Sequence, residues 1–148
     1  MNDHIYHVGL KWKERRLGEI YSPELENSIE VATPPNFNKG IDGVWSPEHL
    51  FTAAITSCYM TTFLAIAENS KLEFENFTCN STGKLEMIEG KFLMTEVKLF
   101  PVLTITNESD REKAMRILVK SEQACLISNS VKAKVELQPE IKIGFTVA

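Results

Sequence analysis

Residues 46–68, SPEHLFTAAITSCYMTTFLAIAE, place apolar or small side chains around almost a whole helical circumference. A helix that is apolar on every side has to be covered on every side. Ser46 offers an N-cap, Pro47 suits the first helical position, and Glu48 puts negative charge in the first turn. The pattern predicts a central helix, buried nearly all round over 50–67. One sheet of a 148-residue chain covers only part of such a helix, so a second copy of the chain is the simplest remaining cover. No stretch reaches the roughly 18–20 uninterrupted apolar residues of a membrane span.

The flanking sequence fills in the rest of the fold. IYHVGLKW (5–12), LGEIYS (17–22) and SIEVAT (28–33) alternate in polarity and read as short strands. PPNFNKGIDG (34–43) is too rich in Pro, Gly and Asn for a regular element and reads as a loop. After the helix, 72–87 and 91–105 read as two long strands joined by the turn IEGK. A second helix is expected over 109–127, with Ser109 and Glu112 as a capping box. Its stripe is Met115, Leu118, Val119, Glu122 and Cys125–Leu126. VKAKVELQ (131–138) and IKIGFTVA (141–148) close the chain as alternating strands. Strands, helix, strands, helix, strands is an α+β order with an antiparallel sheet, in a single domain over 1–148.

Composition narrows the function classes. The net charge of −4 lacks the basic bias of a nucleic-acid binder. The first residues, MNDHIYHVGLKWKERR, lack the apolar core of a secretory signal. Cys58, Cys79 and Cys125 are an odd number, with no C-x-x-C and no zinc spacing. Structural disulfides and a metal site are therefore not expected, and the cytoplasm is the expected location. In that setting the sequons at Asn76 and Asn80 carry no meaning.

Cys58 is the residue of interest. A lone thiol among apolar neighbours reads first as a small hydrophobe. A Cys–His hydrolase would need a base, yet His49 lies about 14 Å away along the same helix, and His4 and His7 belong to an edge-like strand. Cys125 at the end of the second helix, with Arg15 and Arg16 in WKERRLG, supplies the parts of a different site. These are an attacking thiol, a resolving thiol and a cation to hold the thiolate. Cys79 has no evident partner and reads as packing.

With these parts the chain resembles the OsmC/Ohr superfamily of thiol peroxidases over almost its whole length. The resemblance rests on WKERRLG (12–18), VATPPNFNKG (31–40), GVWSPEHLFTAAITSCYMTTF (43–63) and EQACLISNSVKAKVEL (122–137). The block S-P-E-x-L-F-x-A-A-x-x-S-C at 46–58 is the most specific part. The resemblance implies an intertwined homodimer with sites at the subunit interface. It also implies that Cys58 is the peroxidatic cysteine and Cys125 the resolving one, paired as a disulfide during turnover. The resemblance further implies that Arg16, with Arg15 as competitor, is the site arginine and that Glu48 orients it.

The expected reaction is reduction of an organic hydroperoxide, with hydrogen peroxide as a second substrate. An external dithiol resets the enzyme, and no metal, haem or flavin takes part. Phe51, Ile55 and Tyr59, on neighbouring turns, are the expected apolar substrate contacts. Glu48 lies about 15 Å from Cys58 along a straight helix, so a partner chain would ease its reach. Two features depart from the family pattern. Glu14 stands where relatives carry glycine, and Leu126 replaces a helix-ending proline, so the second helix is expected to run on past Cys125. Two other functions remain open: a non-catalytic binder of hydrophobic ligands, and a Cys58-dependent acyl hydrolase.

Overall fold

The computed structural model describes residues 3–144. It divides into two compact units, Met1–Leu50 and Phe51–Ala148.

The first unit is a three-stranded antiparallel sheet in the order β1(Gly9–Glu14), β2(Leu17–Tyr21), β3(Ile29–Ala32). Arg15 and Arg16 form the β1–β2 turn, and Arg15 sits at φ 47. That left-handed backbone is unfavourable for a residue with a Cβ. The Trp12 indole N–H holds it by donating to the Arg15 carbonyl at 3.0 Å. A register shift between Trp12 and Glu14 accompanies the turn, so the strand accommodates Glu14 with a local irregularity. The loop over 34–43 is free of strand and α-helix, as its composition predicts. Ser46 is the N-cap expected for the helix that follows: its Oγ accepts the His49 N–H at 3.1 Å.

The second unit is built on a long hairpin, β4(Phe74–Ile88) and β5(Lys91–Ile105). Glu89 (φ 47) and Gly90 (φ 81) make its two-residue turn, both left-handed, as a twist-matched hairpin requires. Along β5 the residues Val97, Leu99, Pro101, Leu103 and Ile105 are buried in strict alternation. Pro101 would ordinarily argue against a central strand. It is tolerated because its missing N–H falls between two partners. β6(Lys134–Leu137) pairs with Glu96–Leu99 of β5, and β7(Glu140–Ile143) pairs with Val102–Ile105. Both pairings are parallel, so the sheet is mixed. Residues 145–148, expected to extend the last strand, lie outside the described residues.

The first helix, α1(Pro47–Asn69), buries Ile55, Tyr59, Phe63 and Ala67, one residue per turn. This stripe meets the sheet through Phe63, stacked on Phe77 at 4.6 Å and edge-on to Phe74. Gly83 in β4 allows the close approach: a Cβ there would strike Thr52 and come within 2.9 Å of Met94 Cε. The expected all-round burial is only partial in one chain, because Met60 and Leu64 remain 40% exposed. By length and composition α1 could cross a membrane (mean hydropathy 1.6); here its buried stripe forms part of the core.

The second helix, α2(Arg111–Ala124), differs from expectation at both ends. Its N-cap is Asp110 with no side-chain cap bond. The Ser109–Glu112 box is therefore not formed, because a 3-10 turn over Glu108–Asp110 leads into the helix instead. The buried face is Ala114, Ile117, Leu118 and Ser121, leading to Cys125. Met115, Val119 and Leu126 are exposed. Small residues on the buried face let the helix lie close, and Ser121 satisfies its hydroxyl on the Ile117 carbonyl at 2.6 Å. The helix stops at Ala124 even without a proline. Cys125 is extended (φ −66, ψ 113), and the Asn129 side-chain amide donates to the Gln123 carbonyl at 3.1 Å, satisfying an end the helix leaves open.

Candidate active site

Cys58 is adjacent in sequence to the buried stripe of α1 and is half-buried. Its neighbour Tyr59 is fully buried and donates its hydroxyl to the Leu118 carbonyl at 2.9 Å. That bond ties the middle of α1 to α2, and the C-terminal end of α2 then reaches Cys58. The Cys125 thiol lies close enough to the Cys58 sulfur to help lower its pKa, so the two cysteines singled out from the sequence are brought together. Both are free thiols.

The surroundings of the two sulfurs differ. Burial pushes the Cys58 pKa up, but hydrogen bonds to its thiolate outweigh it. They come from the Ile127 N–H, the Cys125 thiol, the Thr62 hydroxyl and the Leu126 N–H, and the net result lies below the ordinary thiol value. Thr62 Oγ1 lies 3.9 Å from the sulfur, one helical turn on. Cys125 is displaced the other way. Burial raises it most, the Ser128 hydroxyl and N–H partly offset this, and the neighbouring Cys58 raises it further. Cys58 is the thiol that ionises first, and Cys125 the one that keeps its proton and donates it.

The turn after α2 therefore serves both sulfurs, which sequence reasoning missed. Thr62 was within reach of the i, i+4 rule. The donors from Leu126, Ile127 and Ser128 had only the segment SNS to announce them, and backbone N–H groups leave no residue-type signature.

The other expected residues fall as follows. Arg15 and Arg16 are exposed in the β1–β2 turn, and Glu48 lies in the first turn of α1. Ile55 and Tyr59 are core residues with no exposed surface, so the expectation that they contact substrate is corrected: the sheet and α2 already occupy those faces. Phe51 is half-buried against the core. Cys79 packs at the edge of the core, and burial pushes its pKa up to about 11. His49 is held by Ser46 Oγ at 2.6 Å and His7 by Glu24 at 2.7 Å. Among the described residues no group of three His, Cys, Asp or Glu could hold a metal ion.

The OsmC-like protein family matches residues 40–140, and the chain belongs to that family. It is 28% identical to the uncharacterized protein YmaD of Bacillus subtilis, over 97% of this chain and 99% of that protein. Two solved structures share the fold. An OsmC-like protein of unknown function from Vibrio cholerae superposes with a TM-score of 0.81 at 23% identity, covering 93% of this chain and 99% of its own. An organic hydroperoxide resistance protein OsmC from Legionella pneumophila gives 0.75 at 20% identity, covering 96% and 99%.

Proposed function

We propose that this chain is a thiol-dependent peroxidase that reduces organic hydroperoxides. The observation that carries the reading is the Cys58–Cys125 contact, in which one thiol is eased toward the thiolate and the other is held protonated. The thiolate of Cys58 attacks the peroxide oxygen, the O–O bond breaks, and alcohol leaves after taking up a proton. Cys58 is then a sulfenic acid. Cys125 attacks its sulfur, the S–O bond breaks, and water leaves with the proton that Cys125 gives up. An external dithiol reduces the Cys58–Cys125 disulfide by exchange. Arg16 holds the thiolate and polarises the peroxide, and Glu48 orients Arg16. Phe51 and Leu126, the latter 65% exposed beside Cys125, are apolar surface suited to an organic peroxide. The name of the Legionella protein, an organic hydroperoxide resistance protein, supports the same substrate class.

The reading includes a homodimer. Met60 and Leu64 on α1, with Met87, Ile88 and Leu93 near the hairpin turn, are exposed apolar surface that a second copy would cover. The cytoplasm is the proposed compartment, where an external dithiol is at hand.

Reductant-coupled turnover of cumene, tert-butyl and hydrogen peroxide, with Cys58→Ser as control, tests the reading. Organic peroxides should turn over faster and the variant not at all; retained turnover in Cys58→Ser would sink the mechanism. A non-catalytic binder would show no thiol rapidly captured by iodoacetamide near pH ~6, where an ordinary thiol is almost wholly protonated.

A further inference from the structure

Ser128 opens a 3-10 turn, Ser128–Ser130, three residues after Cys125. Its hydroxyl oxygen is buried and has no hydrogen-bond partner of ordinary geometry among the described residues. A buried hydroxyl left without a partner is costly and calls for an explanation. The neighbouring polar groups in this turn are all engaged: Asn129 N–H donates to the Cys125 carbonyl at 3.1 Å, Asn129 Nδ2 to Gln123, and Ser130 Oγ to the Leu126 carbonyl at 2.7 Å. The group beside the Ser128 hydroxyl is the fully buried Cys125 sulfur, whose pKa it already lowers without reaching an ordinary hydrogen-bond geometry.

We propose that Ser128 is the positioning residue of the resolving step, its hydroxyl and N–H closing on the Cys125 sulfur as that sulfur becomes a thiolate. This rests on the peroxidase reading above. While Cys58 is a thiolate, Cys125 donates its proton to it and needs no help. Once Cys58 is a sulfenic acid, that negative charge is gone, and Cys125 must itself ionise inside the protein to attack. Of the titratable groups around it, Cys58 and Tyr59 come from α1 and Glu122 from the preceding turn of α2. None is a cation. The hydroxyl and N–H of Ser128 are the donors that act on the Cys125 sulfur itself. The step balances without a further reagent: the Cys125 S–H proton and the Cys58 hydroxyl leave together as water as the S–S bond forms.

Two measurements test it. In a Cys58→Ala/Cys79→Ala chain, Cys125 is the sole thiol, and its thiolate absorbance is titrated with and without Ser128→Ala. The midpoint should rise by about one pH unit, the scale of losing a hydrogen bond to the charged form, and Ser128→Thr should restore it. In the otherwise unaltered chain pulsed with tert-butyl hydroperoxide, Ser128→Ala should slow disulfide formation about tenfold, since one pH unit is a factor of ten in thiolate. Trapping of the Cys58 sulfenic acid should show its formation slowed far less. An unchanged Cys125 midpoint, or equal slowing of both steps, overturns the proposal. A wild-type chain that forms no sulfenic acid sinks the peroxidase reading and the part of Ser128 in resolution with it. The titration then decides separately whether Ser128 holds the Cys125 thiolate.

Discussion

Replacing Tyr59 with phenylalanine removes one oxygen from the contact that ties α1 to α2. The ring is fully buried and its hydroxyl donates to the Leu118 carbonyl at 2.9 Å. Leu118 lies inside α2, so its carbonyl keeps the bond from the N–H four residues on. Neither the carbonyl nor the new phenyl ring is left as an unsatisfied polar group. The cost is therefore that of one neutral hydrogen bond, about 0.5–1.5 kcal/mol, without the added desolvation penalty of an orphaned partner. Near 1 kcal/mol this is about fivefold in the folding constant. It corresponds to roughly 2–4 °C in Tm for a chain of this size.

The same bond sets where the end of α2 meets Cys58. Loosening it should weaken the donors from Leu126 and Ile127 and move the Cys58 pKa up toward the ordinary thiol value. Urea unfolding and thiolate absorbance read the two effects on one sample. A loss of stability below about 0.3 kcal/mol, together with an unchanged Cys58 titration, would refute the argument that this bond aligns the site.

Phe63→Ala should cost about 3–5 kcal/mol in urea unfolding, because the ring is fully buried and stacked on Phe77. The alkaline limb of stability should depend on Cys79. Its folded pKa is raised to about 11 from an ordinary 9.0, so the unfolded chain loses this proton first. Stability then falls as pH rises through that window and levels off above it; Cys79→Ala should flatten that part of the loss in unfolding measured between pH 8 and 11. If Arg16 holds the thiolate, Arg16→Met should raise the Cys58 pKa by about 1–3 pH units, and an unchanged titration would transfer the role to Arg15. Light scattering at micromolar concentration should find a dimer, and a monomer would end that part of the proposal.

The local periodicities of the sequence determined the elements. Apolar spacing marked α1, and Ser46–Pro47 marked its start. Alternation from Val97 to Ile105 marked β5, and IEGK marked a turn whose two left-handed residues the backbone needs. The block ending at Cys58 identified the family. These features are legible because helix and strand periods are properties of neighbouring residues. The buried face of α2 was read one residue off, since Met115 and Val119 are as apolar as a core position requires while the actual face uses Ala114 and Ser121. Residue size, which sets how closely a helix can lie, outweighed hydropathy there. Pro101 likewise made sense only once β6 and β7 were seen to meet β5 on either side of it.

The chemistry of the site belonged to the tertiary structure. Which thiol ionises depends on N–H groups of Leu126 and Ile127 reaching Cys58, on Thr62 one turn away, and on the contact between two cysteines distant in the chain. Sequence names a thiol, whereas its pKa is set by burial and by the direction of donors that any residue's backbone can supply. Those quantities exist only after α1, α2 and the turn that follows have packed together.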